Sequence, residues 1–589
     1  MNLIPNLKQH TAHCIHQLYG VHIQPEQVLV NATKTEFEGD YTIVLFAFVK
    51  QLGKSPEILG NELGAAMLTA MPGVLTDFNI VKGFLNFSIS NEFWFETIKS
   101  ATPDNLLPKN NAPRKIMVEY SSPNTNKPLH LGHLRNNFLG WSIAEILKLQ
   151  GNEVVKTCIV NDRGIHICKS MIAWQLFANG ATPSDTQQKG DHFVGDYYVK
   201  YNDAYKAQVA ELVAGGMTQA LAEKEAPIQK GAQEMLLKWE QGDAATMDLW
   251  KRMNTWVYEG FDTTYKKIGS DFVKTYYESN TYLLGKELVE EGLKKKVFYK
   301  KEDSSVWIDL TGDGLDEKIV QRKDGTSVYM TQDIGLAEEK QKEFNTDTSI
   351  YVVGDEQNYH FKVLKLICQK LQLPAADGIY HLSYGMVELP TGKMKSREGT
   401  VVDADDLVEE MINISKEKTE SLGKVADFTQ LQLTALYNTI GLGALKFFLL
   451  RVDPKKKMIF NPEESIDFHG FTGPFIQYTH ARIKSILRKT GTDVELTTSE
   501  LLPLEKALAI EITNFPAVIN EAAETLDPSK VAIYTFNLAK LFNSFYAELS
   551  ISNAESAEKK NLRIQLGILT AATLQKGMRA LGIDVPEQM

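Results

Sequence analysis

The chain has 589 residues and a formal net charge of −11, and this length predicts roughly three to four domains. The acidic balance disfavours a nonspecific nucleic-acid binder, although it leaves room for recognition of one folded RNA through local patches. The four cysteines lie far apart without a C-x-x-C pair. This argues against a disulfide framework and a cysteine-rich zinc site, and it fits a reducing compartment.

The N-terminal stretch MNLIPNLKQHTAHCIHQLYG mixes polar and apolar residues, and it lacks the apolar core of a secretory signal. By inspection of the sequence, no stretch reaches the length of a membrane span. We therefore expect a cytoplasmic protein that has no membrane partner.

The first predicted unit, residues 1 to 105, is a small α/β domain. The stretch IQPEQVLVNATKTEFEGDYTIVLFAFV alternates and is rich in β-branched and aromatic residues, which predicts strands. ILGNELGAAML has helical spacing, and GFLNFSIS predicts a further strand. ATPDNLLPKNNAP, residues 101–113, is a linker by its composition.

The second predicted unit, residues 113 to 458, is an α/β domain that begins with a βαβ unit. KIMVEY predicts a buried parallel strand, LRNNFLGWSIAEILKLQG predicts a helix that ends at Gly151, and NEVVKTCIVNDRG predicts the next strand. Long charged helical stretches predict an insertion from about 170 to 300. From 459 to 589 the apolar spacing predicts a helical domain.

The stretch NTNKPLHLGH places His130 and His133 in the loop after the first strand of this domain, where open α/β sheets bind ligands. Three interpretations are open: zinc ligands, buried structural histidines, and donors to a phosphate. Zinc is disfavoured because no Cys, Asp or third His lies nearby in the sequence. Backbone N–H groups at a helix N-terminus favour phosphate, and Gly132 lets a nucleotide approach the backbone closely.

A second stretch, PTGKMKSREGT at 390–400, is a loop by its proline and glycines. It carries Lys393, Lys395 and Arg397, and a basic mobile loop suits a pyrophosphate leaving group. Taken alone, such a stretch is more often an ordinary solvated surface loop, and the functional interpretation depends on the histidine loop upstream.

Together these two stretches resemble the two signature motifs of class I aminoacyl-tRNA synthetases. Four blocks narrow the resemblance to the arginyl-tRNA synthetase family: VEYSSPNTNKPLHLGHLRN (118–136), VYMTQDIGLA (328–337), GDEQNYHFKVL (354–364) and TGPFIQYTHARIKSIL (472–487). The resemblance implies a class I Rossmann-like catalytic domain with a helical insertion and a small α/β N-terminal domain that contacts the tRNA body. It also implies an all-α anticodon-binding domain of the DALR type.

The resemblance also implies the activity. Such enzymes activate L-arginine with ATP and Mg²⁺, and then transfer arginine to the 2′-hydroxyl of the terminal adenosine of tRNA(Arg). They resemble a subgroup of class I enzymes in which tRNA must be present for activation. We expect no protein-bound zinc and a monomer.

Residue roles follow from the matched positions. For catalysis, the resemblance implies His130, His133, Lys127, Lys393 and Lys395. For ATP binding, it implies Pro123, Asn126, Lys127, His130, Gly132, His133, Lys393, Lys395 and Ser396. For arginine binding, it implies Glu119, Asn124, Glu278, Tyr329, Asp333 and Gln357. A guanidinium stays charged and offers five donors, so carboxylates can hold it in a bidentate fork.

The second motif departs from the usual K-M-S-K-S pattern, because Ser396 stands where its most critical lysine is expected. Lys393, Lys395 and Arg397 are candidates for the missing cation, and Lys127 can compensate from the first loop. We favour Lys395 and Lys127.

In the helical domain, FIQYTHARIKSILRK brings aromatic and basic residues close together in the sequence. Aromatic side chains stack on unpaired bases while Arg and Lys hold phosphates. Ordinary helix packing is the alternative. On this basis the predicted tRNA-binding residues are Gln477, Tyr478, His480 and Arg482.

Three rival functions remain at this stage. A class I synthetase of another specificity is disfavoured by the acidic residues Asp333 and Glu278 in the predicted pocket. A small-molecule nucleotidyltransferase shares H-x-G-H, but it would have no use for the long helical C-terminal domain. A non-catalytic tRNA-binding paralogue is disfavoured by the intact His130, Gly132 and His133.

Overall fold

The computed structural model describes the chain except residues 1, 2, 35, 109, 111, 389–401, 422–426, 498 and 499. The N-terminal elements are α1 (Leu3–Tyr19), β1 (Val30–Ala32), β2 (Tyr41–Val44), α2 (Phe46–Leu52), α3 (Pro56–Ala70), β3 (Leu75–Val81), β4 (Phe84–Ile89) and α4 (Asn91–Ser100). Their strands form an antiparallel sheet in the order β1–β2–β4–β3. Helix α3 packs on this sheet and α1 packs on α3.

One stretch that was predicted as strand is helical. FAFV lies in α2, which begins directly after β2 ends. The Phe46 ring lies so close to Gly83 that a Cβ there would be 2.4 Å from it. Four apolar residues in a row fit a strand and a helix equally well, so the pattern alone did not separate the two.

The central domain follows. Its elements are β5 (Lys115–Glu119), α5 (Leu131–Leu149), β6 (Glu153–Val160), α6 (Ile165–Phe177), α7 (Pro183–Thr186), α8 (Gly190–Ala214), α9 (Gln219–Glu225), α10 (Pro227–Glu240), α11 (Ala244–Ile268), β7 (Lys274–Tyr277), α12 (Glu278–Thr281), α13 (Lys286–Lys294), β8 (Tyr299–Lys300), β9 (Val306–Ile308), β10 (Lys318–Gln321), α14 (Tyr329–Phe344), β11 (Thr348–Gly354), α15 (Asn358–Lys370), β12 (Ile379–Tyr384), β13 (Val387–Glu388), α16 (Ala404–Ser421), α17 (Gln430–Leu450), β14 (Met458–Ile459) and α18 (Pro462–Ser465).

The main sheet of this domain has the order β12–β11–β5–β6–β7, and each neighbouring pair is parallel. The chain runs from β5 to β6 and β7 on one side, and later adds β11 and β12 on the other. The direction of winding therefore reverses between β5 and β11, and open α/β sheets bind ligands at the carboxyl ends of strands at such a point. The predicted Rossmann-like fold is confirmed.

The predicted insertion, about 170 to 300, extended too far along the chain. The long helices α8, α10 and α11 do lie between β6 and β7, but β7 begins at Lys274 and pairs with β6 in the main sheet. A strand of four residues that follows a long charged helix offers little periodicity, so the sequence did not reveal it.

Helix α17 corrects the expectation that no stretch of the chain reaches the length of a membrane span. It has 21 residues and is apolar enough, by length and composition, to cross a membrane, although 67% of its apolar window is buried inside the protein. It packs against α5, α16 and α19. Its composition is therefore that of a helix in the protein core.

The C-terminal elements are α19 (Gly473–Thr490), α20 (Pro503–Thr513), α21 (Phe515–Thr525), α22 (Ser529–Glu548) and α23 (Ala557–Ala580). Among the described residues this part of the chain is helical, as predicted. Helix α5 also packs on α21 and α23, and the Ser142 hydroxyl of α5 donates to the Ala580 carbonyl at 2.8 Å. The helix that begins with the H-x-G-H motif is therefore packed directly on the C-terminal domain.

Candidate active site

The H-x-G-H motif forms the N-terminus of α5, at the carboxyl edge of the main sheet. His130 is the N-cap residue, and its Nδ1 accepts the Gly132 N–H at 3.1 Å. The His130 N–H in turn donates to Nδ1 of His133, also at 3.1 Å. Because both Nδ1 atoms accept backbone protons, each neutral ring carries its own proton on Nε2. The two rings lie 3.9 Å apart between centroids, so the motif presents two adjacent N–H donors.

Burial and nearby charge keep both histidines neutral. Burial and the neighbouring Lys127 together lower the pKa of His130 to about 3, against the opposing effect of Asp403. Burial also holds the pKa of His133 well below its ordinary value, with His130 and Lys127 acting in the same direction. Neutral Nε2–H donors suit a phosphoryl group whose negative charge grows during a reaction.

Gly132 has a steric role that the sequence did not reveal. A Cβ at this position would lie 3.0 Å from Cε1 and 3.2 Å from Nδ1 of the His130 ring. A side chain at this position would therefore require the His130 ring to shift by a few tenths of an ångström. This requirement is compatible with the predicted close approach of a nucleotide.

Asn136, which the sequence analysis missed, ties the site together. This buried residue accepts the Ser121 N–H at 2.6 Å and donates to the Val352 carbonyl at 2.8 Å. It thereby joins the end of β5 to β11 across the switch point. Ser121 and Ser122 have φ values of 87° and 43°, a conformation that costs roughly 1–3 kcal/mol and is common at functional sites. The available signal in the sequence was the pair of asparagines, Asn136 and Asn137, directly after the histidine motif.

The loop between β5 and α5 is fixed by backbone bonds to the residue after β6. The Asn161 N–H donates to the Pro123 carbonyl at 2.9 Å, and the Thr125 N–H donates to the Asn161 carbonyl at 3.0 Å. This places Asn124 beside the end of β6, where it is half-buried, while Asn126 is buried. Lys127 and His130 line a common cavity of about 340 Å³.

Four residues of the second signature stretch, Lys393, Lys395, Ser396 and Arg397, lie outside the described residues. The described chain resumes at Val402, whose carbonyl accepts the Leu131 N–H at 3.1 Å. The Ala404 N–H donates to the Leu129 carbonyl at 3.0 Å. The segment that follows the second stretch therefore pairs directly with the H-x-G-H turn.

A second cavity, of about 640 Å³, lies beyond the end of β7 and contains Glu278 and Tyr329. Tyr329 begins α14 and is 71% exposed. Asp333 lies one turn further along α14, where its Oδ2 is 2.6 Å from Nε2 of His360. The structure thus brings three of the predicted arginine-binding residues to the region between α12 and α14.

The Glu278 carboxyl is partly desolvated in this cavity. Burial, with smaller effects of Asp162 and Asp333, raises its pKa to about 7 against the opposing charge of Arg163. A carboxyl in this position is stabilised as the anion by a bound cation.

Asp162, a second residue that the sequence analysis missed, positions Glu278. It is 1% exposed. Its carboxylate accepts the Ser279 N–H at 2.8 Å, the Ser279 hydroxyl at 2.7 Å and the Tyr258 hydroxyl at 2.7 Å. It therefore fixes the first turn of α12. An aspartate directly after a predicted parallel strand was the signal in the sequence.

The remaining predicted arginine-binding residues are placed differently. Glu119 is buried, and its carboxylate forms an ion pair with Lys340 and accepts from the Thr157 hydroxyl at 3.4 Å. This carboxylate is therefore already paired within the protein. Gln357 is exposed in a short 3₁₀ turn after β11.

The four predicted tRNA-binding residues divide between two faces of α19. Tyr478 and Arg482 line a cavity of about 510 Å³ that also contains Arg488. Gln477 and His480 are buried, with Gln477 Nε2 donating to the Asp584 carbonyl at 2.8 Å and His480 Nδ1 3.0 Å from the Pro586 carbonyl. The prediction that these two residues contact RNA is corrected, because both side chains are buried and bind the C-terminal segment.

Comparison with known proteins gives matches along most of the chain. Residues 98–461 match the family described as tRNA synthetases class I (R), catalytic domain. Residues 476–589 match the DALR anticodon binding domain, and residues 5–89 match the arginyl tRNA synthetase N terminal domain.

Full-length relatives and solved structures are also similar. An arginine–tRNA ligase of Flavobacterium psychrophilum is 52% identical over 98% of both chains, and one of Bacteroides thetaiotaomicron is 51% identical over 97% of both. The fold is similar to that of arginyl-tRNA synthetase from Thermus thermophilus, with a TM-score of 0.82, 24% identity and 99% of each chain covered. In agreement with the signature motifs, the chain belongs to the arginyl-tRNA synthetase family of class I tRNA synthetases.

Proposed function

We propose that the protein is an arginine–tRNA ligase that forms arginyl-adenylate from L-arginine and ATP and then esterifies tRNA(Arg). The observation that carries this proposal is the pair of neutral histidines at the switch point of the sheet, together with the half-buried Glu278 carboxyl in the cavity beyond β7. The histidine pair suits a reacting phosphate, and the carboxyl suits a cationic substrate.

In the proposed first step, a carboxylate oxygen of arginine forms a bond to the α-phosphorus of ATP. The bond from that phosphorus to the bridging oxygen breaks, and pyrophosphate leaves with the electron pair, bound to Mg²⁺ as part of the substrate complex. Negative charge grows on the phosphoryl oxygens during this exchange. The Nε2–H groups of His130 and His133 donate to them, and each such donor is worth roughly 10²- to 10³-fold in rate.

Lys127 supplies positive charge on the phosphate side of this proposed site. It lines the same cavity as His130 and is close enough to lower the pKa of both histidines. Together with Lys395, it takes the role of the lysine that Ser396 replaces in the second motif. Lys395 lies outside the described residues, so its assignment rests on the sequence.

Selection of arginine is assigned to Glu278 and Asp333. A guanidinium presents a planar fork of five donors, which matches carboxylates in a bidentate manner. A lysine ammonium cannot reproduce that geometry, and its binding would leave carboxylate oxygens unpaired.

In the proposed second step, the 2′-hydroxyl of the terminal adenosine attacks the carbonyl carbon of arginyl-adenylate, and AMP leaves. The cavity beside Tyr478 and Arg482 supports binding of unpaired anticodon bases, because it combines aromatic rings with cations. The N-terminal domain is assigned to the tRNA body. We place the protein in the cytoplasm as a monomer, with activation dependent on tRNA.

The experiment that tests this function is ATP–pyrophosphate exchange with each amino acid, measured with and without tRNA. We expect exchange with arginine when tRNA is present. Exchange with lysine but not arginine would overturn the proposed specificity. Exchange with arginine in the absence of tRNA would overturn only the tRNA requirement.

A pH dependence follows from Glu278. Its carboxyl titrates with a pKa of about 7, and only the anion can pair with a guanidinium. We expect the KM for arginine to fall roughly tenfold between one pH unit below and one above that value, because the ionised fraction rises by this factor. The KM for ATP serves as the control. A Glu278→Gln variant should lose this pH dependence, and the same dependence in that variant would assign it to another group.

A further inference from the structure

Five charged residues form a cluster between α8 and α16, which we call the anchor cluster. Lys189, Asp191 and His192 come from the start of α8, and Asp403 and Asp405 come from the start of α16. The Lys189 Nζ lies 3.0 Å from Asp191 Oδ2 and 2.6 Å from Asp405 Oδ2. His192 Nε2 lies 3.0 Å from Asp403 Oδ2 and 3.5 Å from Asp405 Oδ2. The cluster thus links the insertion to the segment that follows the second signature stretch.

The Lys189 ammonium sits at the centre of this arrangement. Its Nζ also lies 2.5 Å from the Thr264 hydroxyl of α11, and that hydroxyl is 3.1 Å from Asp405 Oδ1. Asp191, His192 and Asp405 are grouped closely enough to hold a metal ion. However, the ammonium lies between the two carboxylates and meets their need for a cation. Three helices, α8, α11 and α16, therefore meet at one internal charge.

The charges of the cluster indicate what it can do. Two cations face three carboxylates, so the cluster offers no excess positive charge to a phosphate. Hydrogen bonds to Asp403 and Asp405 raise the pKa of His192 to about 10, so its imidazole is protonated at neutral pH. A set of fixed, partly buried ion pairs holds elements in place when its partners are all present.

The held segment is the one that pairs with the H-x-G-H turn. Asp403 forms an antiparallel bridge with His130, and the backbone bonds of Val402 and Ala404 flank it. His192, Asp403 and His130 also line the same cavity of about 340 Å³. Displacement of the segment at 402–405 would therefore displace the turn that carries the phosphate donors.

We propose that Lys189 and His192 are positioning residues for the ATP site: they hold the segment at 402–405 against the H-x-G-H turn and thereby set the position of His130. This inference rests on the proposed function, because its readout is arginine activation. Neither side chain is assigned a contact with the reacting atoms.

The first test compares Lys189→Met with Lys266→Met. Lys266 lies on α11 in an exposed pair with Asp262 and is 77% exposed, so its replacement makes the same change of charge away from the site. We expect Lys189→Met to lower kcat/KM for ATP by roughly 10- to 100-fold, as expected for a small misplacement of a reacting group. The KM for arginine should stay unchanged, Lys189→Arg should retain most of the activity, and Lys266→Met should behave like the wild type.

The second test uses His192→Gln, which keeps a donor but removes the titration. Asp403, Asp405 and Asp191 act on the pKa of His192, and Lys127, Asp196 and Asp406 line the same cavity. Because the pKa of His192 is raised, its charge holds the segment at 402–405 fully at pH values below the ordinary histidine pKa. This contribution is lost as pH rises through about 10. The ratio of wild-type to variant kcat/KM for ATP should therefore fall towards one over that range.

Two results would overturn the inference. One is an unchanged kcat/KM for ATP in a folded Lys189→Met variant. The other is a parallel change of both KM values together with a lowered melting temperature in the Lys189 and His192 variants, which would indicate a purely structural role. Absence of arginine-dependent exchange in the wild-type protein would instead contradict the proposed function, so the two failures are distinguishable.

Discussion

Replacing His133 with alanine lowers the rate of arginine activation by roughly 10²- to 10³-fold. The variant loses an Nε2–H donor that faces the growing charge of the phosphoryl group. Its affinity for tRNA should stay nearly unchanged, because α19 and the N-terminal domain lie outside the altered turn. Pyrophosphate exchange measures the first quantity, and equilibrium binding of labelled tRNA measures the second.

His133→Ala also removes the Nδ1 acceptor of the His130 N–H, so a matched control must separate the two losses. His133→Glu provides it, since glutamate three residues after an N-cap residue is the ordinary capping-box acceptor. This variant keeps the cap, lacks the donor and adds a negative charge beside the phosphate. We expect it to activate arginine more slowly than His133→Ala. Recovery of activity in His133→Glu would show that the cap, and not the donor, limits the reaction.

The parts of this site that could be predicted are those formed by residues close together in the sequence. KIMVEY, the histidine loop and the following helix were predicted from local patterns, and the structure has β5 and α5 there. Tyr329 and Asp333 are four residues apart and were expected near one pocket. The contacts that position these groups are made between distant residues, such as Asn136 with Val352 and Asp162 with Ser279. A single sequence carries no record of such pairs.

The exposed and buried faces of α19 illustrate a second limit of prediction from the sequence. Tyr478 and Arg482 are one helical turn apart and share a face, whereas Gln477 and His480 lie on the opposite, buried side. All four are polar or aromatic, so composition did not indicate which face is exposed. The buried pair is explained by the C-terminal segment, whose carbonyls at Asp584 and Pro586 are bonded to it. These partners are about a hundred residues away in the chain.

Replacing Asp333 with asparagine raises the KM for arginine by roughly 30-fold, with little change in the KM for ATP. The variant exchanges a carboxylate for a neutral amide, which accepts a weaker bond from a guanidinium. Hydrogen bonds to charged groups contribute about 1.5–3 kcal/mol, and about 2 kcal/mol corresponds to roughly 30-fold. We take a value near the lower end because the Asp333 side chain is 36% exposed.

The His360 ring, whose Nε2 is 2.6 Å from Asp333, supplies the control. His360→Asn removes this neighbour but keeps the carboxylate, so the KM for arginine should change by a much smaller factor. Citrulline sharpens the test, because it has nearly the shape of arginine without the positive charge. If Asp333 recognises that charge, the preference for arginine over citrulline shrinks in Asp333→Asn and persists in His360→Asn. An equal preference in wild type and Asp333→Asn would assign recognition of the guanidinium charge to Glu278 alone.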